Sequence, residues 1–394
     1  MSHVLRCSGY DLVLTDIVQG QGCFLYDVDG NRYTDFEAGV WCLSLGHNHP
    51  RISAALRRQM ERVSHLGYRC TAEIVEAAAT TVLATLGMGS GKCVFLSSGS
   101  EAVEFGVQIT RRITGRPLLL TLTDTYLAAY GSAGRRTQDE WFFFDWSVCA
   151  HCTKAEECDP ACRYLSQIPL ERIGGLVFEP GNSGGTVRLP PRALVRNLAG
   201  MVRTQDGLIV VDEVTTGVGR TGAWYGFNHY GIEPHIVALG KGLGNGYPVS
   251  AVAMSAKIAA DLQEGGYRYA QSHQNDPLGC AVAHEVLATI MEEDLIARSD
   301  ELGTKLRSEL ERLGESFRLV KEVRGRGLMV AMELEDGAGN SPARLVYQRL
   351  LDQAFLVGLK PEANLLRFYP PLIVSEGEIV RLIAGLEGIL EAVV

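Results

Sequence analysis

The sequence predicts an α/β protein: a large domain on a mostly parallel central sheet flanked by helices, with a smaller α+β domain beside it. Three observations carry this. From about Gly46 to about Gly279, short apolar runs alternate with amphipathic stretches, the pattern of strands joined by crossover helices. The apolar run Leu208 to Val211 ends in Asp212 and Glu213, and the carboxyl end of a strand is where such sheets place their ligands. Beyond about residue 290 the pattern changes to long helical stretches around a single strand.

Taken in order, Pro50 suits a first helical position, and Ile52, Leu56, Met60 and Val63 recur on one face of the helix it opens. Cys93 to Ser98 reads as a strand, Gly99 and Ser100 as a turn, and Glu101 to Arg112 as a helix stopped by Gly115. A strand that passes through a glycine turn into a helix start makes an anion site. Leu118 to Thr123 and Leu176 to Glu179 follow as strands, then a helix from Pro191 to Arg203 with Leu194, Leu198 and Val202 aligned, then the strand Leu208 to Val211. A long helix from about Leu278 to Leu313, a strand near Gly327 to Leu334 and a closing helix from Glu376 to Val393 complete the chain. The expected division is a large domain over 46–289, with a Cys-rich insertion at about 137–173, and a small domain from 1–45 and 290–394. There is no internal repeat or low-complexity linker.

With 394 residues, 46% hydrophobic and 21% charged, the composition is that of a soluble globular protein. A net charge of −9 and the lack of any Lys/Arg block argue against nucleic acid and membrane partners. The N-terminus carries no apolar run of signal-peptide length, so the cytoplasm is the expected location. Of ten cysteines, Cys7, Cys23, Cys42, Cys70, Cys93 and Cys280 are scattered and read as reduced and mostly buried. The other four crowd together.

The chemistry points to Lys241. It stands between the apolar run ending at Leu239 and a frame of Gly240, Gly242, Gly244 and Gly246. A lysine that condenses with an aldehyde must lose its proton, which burial and nearby positive charge favour, and glycines let a planar cofactor approach the backbone. Two phosphate-loop patterns fail on context: Gly217 to Gly222 opens no apolar helix, and Gly89 to Cys93 precedes a strand and lacks its first glycine.

Three segments, Ser98-Gly-Ser-Glu-Ala-Val, Asp212-Glu-Val-Thr-Thr-Gly-Val-Gly-Arg-Thr-Gly and Gly240-Lys-Gly-Leu-Gly-Asn-Gly-Tyr-Pro, resemble class III pyridoxal-phosphate-dependent aminotransferases of fold type I in order and spacing. Gly46-His-Asn-His-Pro50 and Leu366-Arg-Phe-Tyr-Pro-Pro371 resemble the same family. The resemblance implies that Lys241 holds pyridoxal 5'-phosphate as a Schiff base and acts as general base, while Asp212 keeps the pyridine nitrogen protonated. It further implies a phosphate site at Gly99 and Ser100, Tyr126 and Val214 on opposite faces of the ring, and Glu179 and Thr215 beside the cofactor. Ser272 would reach the phosphate of a neighbouring subunit, giving a homodimer with shared active sites. Arg367 would hold a substrate carboxylate, with Trp41 lining the same pocket. The implied reaction moves an amino group between an amino acid or amine donor and a 2-oxo acid acceptor. Leu127, Thr215 and Asn182-Ser183 depart from the family's usual His, Gln and Gln-Gly-Glu, which reshapes the pocket wall. A racemase, epimerase or decarboxylase on the same fold is the alternative, and a non-catalytic metal-binding regulator is the alternative of another class.

Cys149, Cys152, Cys158 and Cys162 offer four thiolates within fourteen residues, enough for one tetrahedral metal shell. Zinc is the first expectation and an iron–sulfur cluster the second, with His151 able to replace one thiolate. Four reduced cysteines, or a disulfide pair, in a surface loop are the plain alternative.

Overall fold

In the computed structural model, which describes residues 3–5, 12–149, 152, 157–181, 184–335 and 341–393, a seven-stranded sheet forms the centre. Numbered in chain order, its strands are β1 (Lys92–Leu96), β2 (Leu118–Leu122), β3 (Trp141–Phe144), β4 (Ile173–Phe178), β5 (Leu208–Asp212), β6 (Ile236–Leu239) and β7 (Ser250–Met254). They lie side by side in the order β1-β7-β6-β5-β4-β2-β3. Neighbours from β6 across to β3 are parallel, with Val210 opposite Ile236 and Gly175 opposite Leu208, whereas β7 runs antiparallel to both β1 and β6. Strands β2, β4, β5, β6 and β7 are buried at every position, which is why they read as continuous apolar runs.

The helix Arg192–Arg203 buries the expected stripe of Leu194, Leu198 and Val202. That burial is worth about 6 kcal/mol before conformational entropy is subtracted. The helix Pro50–Arg62 also forms, but its buried positions are Ile52, Ala55 and Gln59, and Met60 is 63% exposed. The apolar face is rotated toward Gln59, whose amide is satisfied by donating to the Val63 carbonyl at 2.8 Å.

The long helix expected over Leu278 to Leu313 is two helices, Pro277–Glu292 and Leu295–Ser316, separated by Asp294 at φ +49°. Periodicity hid the break because apolar residues, Ile290 and Leu295, stand on both sides of it. The expected strand near Gly327 to Leu334 is Met329–Leu334. It pairs with the charged strand Val320–Arg326, which the sequence did not announce because only Val320 and Gly325 of its seven residues are buried. The closing helix is present at Glu376–Val393. At the other end of the chain, the strands Ile17–Gln21, Phe24–Asp27 and Arg32–Asp35 form an antiparallel meander, and Thr34 pairs with Phe355.

Among the described residues, no helix is long and apolar enough to cross a membrane. Of the scattered cysteines, Cys23 and Cys280 are buried, Cys42 and Cys93 partly so, and Cys70 is exposed, fewer buried than expected. Cys7 lies outside the described residues.

Candidate active site

Three loops meet at the carboxyl ends of β1, β5 and β6. A Cβ added to Gly99 would lie 2.6 Å from Val214 Cγ1, and one added to Gly240 would lie 3.3 Å from the same atom, so glycine is what lets the loops close. Asp212, the last residue of β5, is 3% exposed and accepts the Val214 N–H at 2.9 Å. Burial pushes its carboxyl up to about 7, against the lowering effect of that N–H and of Lys241.

Glu213 is the contrast. Burial also pushes it up to about 7, but its carboxylate accepts the Thr216 hydroxyl at 2.7 Å and the N–H groups of Gly226 and Phe227 at 2.8 and 2.7 Å. Glu213 therefore ties the next turn together, while Asp212 faces Lys241.

Lys241 follows β6. Its Nζ donates to Thr215 Oγ1 at 2.6 Å and stands 4.3 Å from the centre of the Trp41 ring. Burial lowers the pKa of the amine, opposed by the Asp212 charge, which is the direction a condensing lysine requires. The backbone of Lys241 has φ +41°, a left-handed conformation that costs a non-glycine residue about 1–2 kcal/mol. Such strain persists where surrounding contacts over-determine a functional position.

Trp41 arrives by a second strained device. The turn Ala38–Trp41 has positive φ at all four residues: Ala38, Gly39, Val40 and Trp41. Asp35, itself buried, holds the turn by accepting the N–H groups of Glu37 and Ala38, both at 2.8 Å, and pairs with His47 at 2.8 Å. Trp41 packs on Tyr369 with ring centres 5.0 Å apart, and the guanidinium of Arg367 lies 4.9 Å from the Trp41 ring. Arg367 is 5% exposed in the strand Leu365–Phe368, with Nη2 3.6 Å from Glu37 Oε1. Burial pushes Glu37 up to about 7, partly offset by Arg367. Neither the turn nor Glu37 was singled out from sequence: a left-handed turn with one glycine has no propensity signature, and Glu37 meets Arg367 from the opposite end of the chain.

The phosphate-site residues open the helix Gly99–Thr114, which starts two residues before the expected Glu101 because Ser98 is its N-cap. Ser98 Oγ accepts the Glu101 N–H at 3.3 Å, and the Glu101 carboxylate returns to the Ser98 and Ser97 N–H groups at 2.8 and 3.0 Å. Ser100 Oγ accepts the Ala129 N–H at 3.0 Å, tying this turn to the loop that carries Tyr126. The Tyr126 N–H donates to Glu179 Oε2 at 3.1 Å, and the Tyr126 ring is 48% exposed. Thr215, expected beside the cofactor, accepts the hydrogen bond of Lys241 Nζ. Ser272 is exposed and shares no hydrogen bond with Lys241 or Asp212 among the described residues. Asn182, Ser183 and His151 lie outside the described residues. The four clustered cysteines lie apart from this site, in the connection from β3 to β4. Among the described residues, the group of three metal-ligand side chains whose atoms all lie within 4.8 Å of one another is His65, His273 and Asp276, so no three of the four thiols are mutually that close.

A buried carboxylate facing an amine, a cradle open only to glycine and a capped helix start with a tyrosine beside it suit a flat, phosphorylated, basic ring. The class-III aminotransferase profile matches residues 7–128 and 144–390. The chain belongs to this family. This aminotransferase is 32% identical over 380 residues to the acetylornithine aminotransferase of Streptomyces coelicolor, covering 95% of the chain and 90% of that protein. It is 29% identical over 383 residues to the 5-aminovalerate aminotransferase of Pseudomonas aeruginosa, covering 91% and 89%. Among solved structures it is similar to the S-selective transaminase from Arthrobacter sp. with alanine bound, with TM-score 0.89 and 25% identity over 99% of this chain and 96% of that one. The acetylornithine aminotransferase from Elizabethkingia anophelis matches with TM-score 0.84 and 25% identity over 98% and 96%. The protein is thus a pyridoxal-phosphate-dependent aminotransferase of fold type I.

Proposed function

We propose that this aminotransferase moves an amino group from a donor whose primary amine is remote from a carboxylate to a 2-oxo acid, with Lys241 and Arg367 reading the two ends of the donor. The observation that carries this is the shared ring: Lys241 Nζ and the Arg367 guanidinium lie 4.3 and 4.9 Å from the centre of Trp41. The relatives named for acetylornithine and 5-aminovalerate support the same substrate class.

Lys241 would hold pyridoxal phosphate through its side-chain amine and, with that amine free, would act as the base at the substrate carbon. When bound, the cofactor supplies the sink for the electron pair released at that carbon. Asp212 would pair with the ring nitrogen and keep it protonated. Gly99 and Ser100 would hold the phosphate with backbone N–H groups at a helix start. Tyr126 and Val214 would cover the two ring faces, Glu179 fixes the Tyr126 loop, and Thr215 orients the Lys241 amine. Glu37 neutralises Arg367 until a substrate carboxylate replaces it, forming the bidentate contact that guanidinium geometry favours.

The enzyme works as a cytoplasmic homodimer in which Ser272 serves the neighbouring active site, and exposure of its loop supports this. Residues 46–289 form the cofactor-binding part and residues 1–45 and 290–394 the smaller part, supported by the pairing of Thr34 with Phe355.

A donor panel tests the substrate class. With a 2-oxo acid present, 5-aminovalerate and N-acetylornithine should be consumed with stoichiometric keto-acid use. Arg367→Lys should raise KM for these donors about tenfold and leave kcat nearly unchanged, since a point charge replaces a fork. Equal turnover of donors lacking a carboxylate, or no dependence on the 2-oxo acid, would reject the proposal.

A further inference from the structure

The connection from β3 to β4 carries four thiols that the chemistry at Lys241 does not use. Two turns shape the segment. The Cys152 N–H donates to the Cys149 carbonyl at 3.1 Å, and the Cys162 N–H donates to the Asp159 carbonyl at 2.9 Å. Cys149, Cys158 and Cys162 lie partly buried against the main core, and Cys152 is exposed.

Inert packing cysteines are buried in apolar surroundings, whereas these four stand within fourteen residues of one connection, three against the core and one exposed.

We propose that Cys149, Cys152, Cys158 and Cys162 bind a single thiophilic divalent cation, Zn²⁺ by chemical preference, as a closed four-thiolate shell. Zn–S bonds of about 2.3 Å place neighbouring sulfurs about 3.8 Å apart. No three of the four sulfurs lie mutually within 4.8 Å, so the ion draws the two turns together as it binds. The four S–H protons leave to solvent as four Zn–S bonds form, and no oxidant or reductant is consumed. Four protein ligands leave no open coordination position, so the ion is structural. The C-x2-C-x5-C-x3-C spacing also departs from the run that holds a cubane iron–sulfur cluster.

Its place in the fold gives the ion a purpose. Trp146, which opens the turn into Cys149, donates its indole N–H to Asp124 Oδ1 at 2.8 Å, two residues before Tyr126. The Asn197 amide donates to the Cys158 carbonyl and ties the other end to the helix Arg192–Arg203. A metal joining the two turns braces the loop that presents Tyr126.

The test uses the full chain purified without chelator. Elemental analysis should find about one zinc per chain, as a closed four-thiolate site binds a single ion. Replacing zinc with cobalt in the wild-type protein should give the strong visible bands of tetrahedral cobalt thiolate. A Cys152→Ser, Cys158→Ser double variant should lose the metal and melt at a lower temperature while retaining pyridoxal phosphate. Zinc far below one equivalent with four freely titrating thiols, or disulfides among the four by mass spectrometry, would overturn the proposal. Iron with acid-labile sulfide would overturn it as well. The cobalt spectrum of the wild type decides the matter even if the variant fails to fold.

Discussion

The loops after β5 and β6 and the connection from β3 to β4 leave the same sheet at the same kind of edge, yet they are held by opposite means. The first pair is fixed by burial, glycine-limited packing and saturated hydrogen bonds: Glu213 accepts three, and Lys241 is held in a left-handed conformation. The second is held by short turns and a few side-chain ties, with one thiol exposed and three partly buried. Placement to a fraction of an ångström comes from a dense local network, whereas a sparse loop would need a bound ligand, such as the proposed metal, to gain the same rigidity.

Breaking the first region where its chemistry lies should have the largest effect. Lys241→Ala should reduce transamination at least about 10⁴-fold, the upper end of what a positioned proton-transfer group contributes, without lowering the melting temperature by much. Residual turnover within tenfold of wild type would remove Lys241 from the chemistry. Asp212→Asn should lower kcat about 10³-fold while the protein still binds the cofactor, because the buried charge acts on the ring and not on the fold.

Its neighbour should behave in the reverse way. Glu213→Ala leaves two backbone N–H groups and the Thr216 hydroxyl unpaired in the interior, and should cost about 3 kcal/mol in urea unfolding, with the folded fraction keeping activity within a few-fold. If this variant is stable but inactive, the assignment of roles at the end of β5 is inverted.

The smallest effect is a pH dependence. Asp212 and Glu213 rise from ordinary values of 3.8 and 4.5 to about 7 on folding. Between those limits the folded chain keeps protons that the unfolded chain has released, so their contribution to stability is full below about pH 4 and is lost as pH rises through about 7. The cofactor-free enzyme should therefore lose stability between pH 5.5 and pH 8, and Asp212→Asn should show a shallower loss. An equal slope in the two proteins would place the titration elsewhere.

What could be read from sequence followed from how locally the structure is written. The turn at Gly99, the carboxylate ending β5 and the lysine after β6 are contiguous strings in which strand, turn and reactive residue occupy neighbouring positions, and the structure brings all three together. The Trp41 turn was invisible because its left-handed backbone is imposed by Asp35 rather than by its own residues. The Glu37–Arg367 contact joins distant parts of the chain and has no local sign. The break at Asp294 and the exposure of Met60 escaped because apolar spacing reports which residues could share a face and not where backbone angles change. The role of Thr215 as the partner of Lys241 needed the distance itself.

The attachment of the cofactor to Lys241 is tested most directly by reducing the holoenzyme with borohydride, digesting it and locating the modified peptide by mass spectrometry. The pyridoxyl group should be found on Lys241 in the peptide spanning Gly240 to Tyr247, and should be absent from Lys241→Ala. Modification of any other lysine, with Lys241 recovered intact, would contradict the assignment on which the whole site rests.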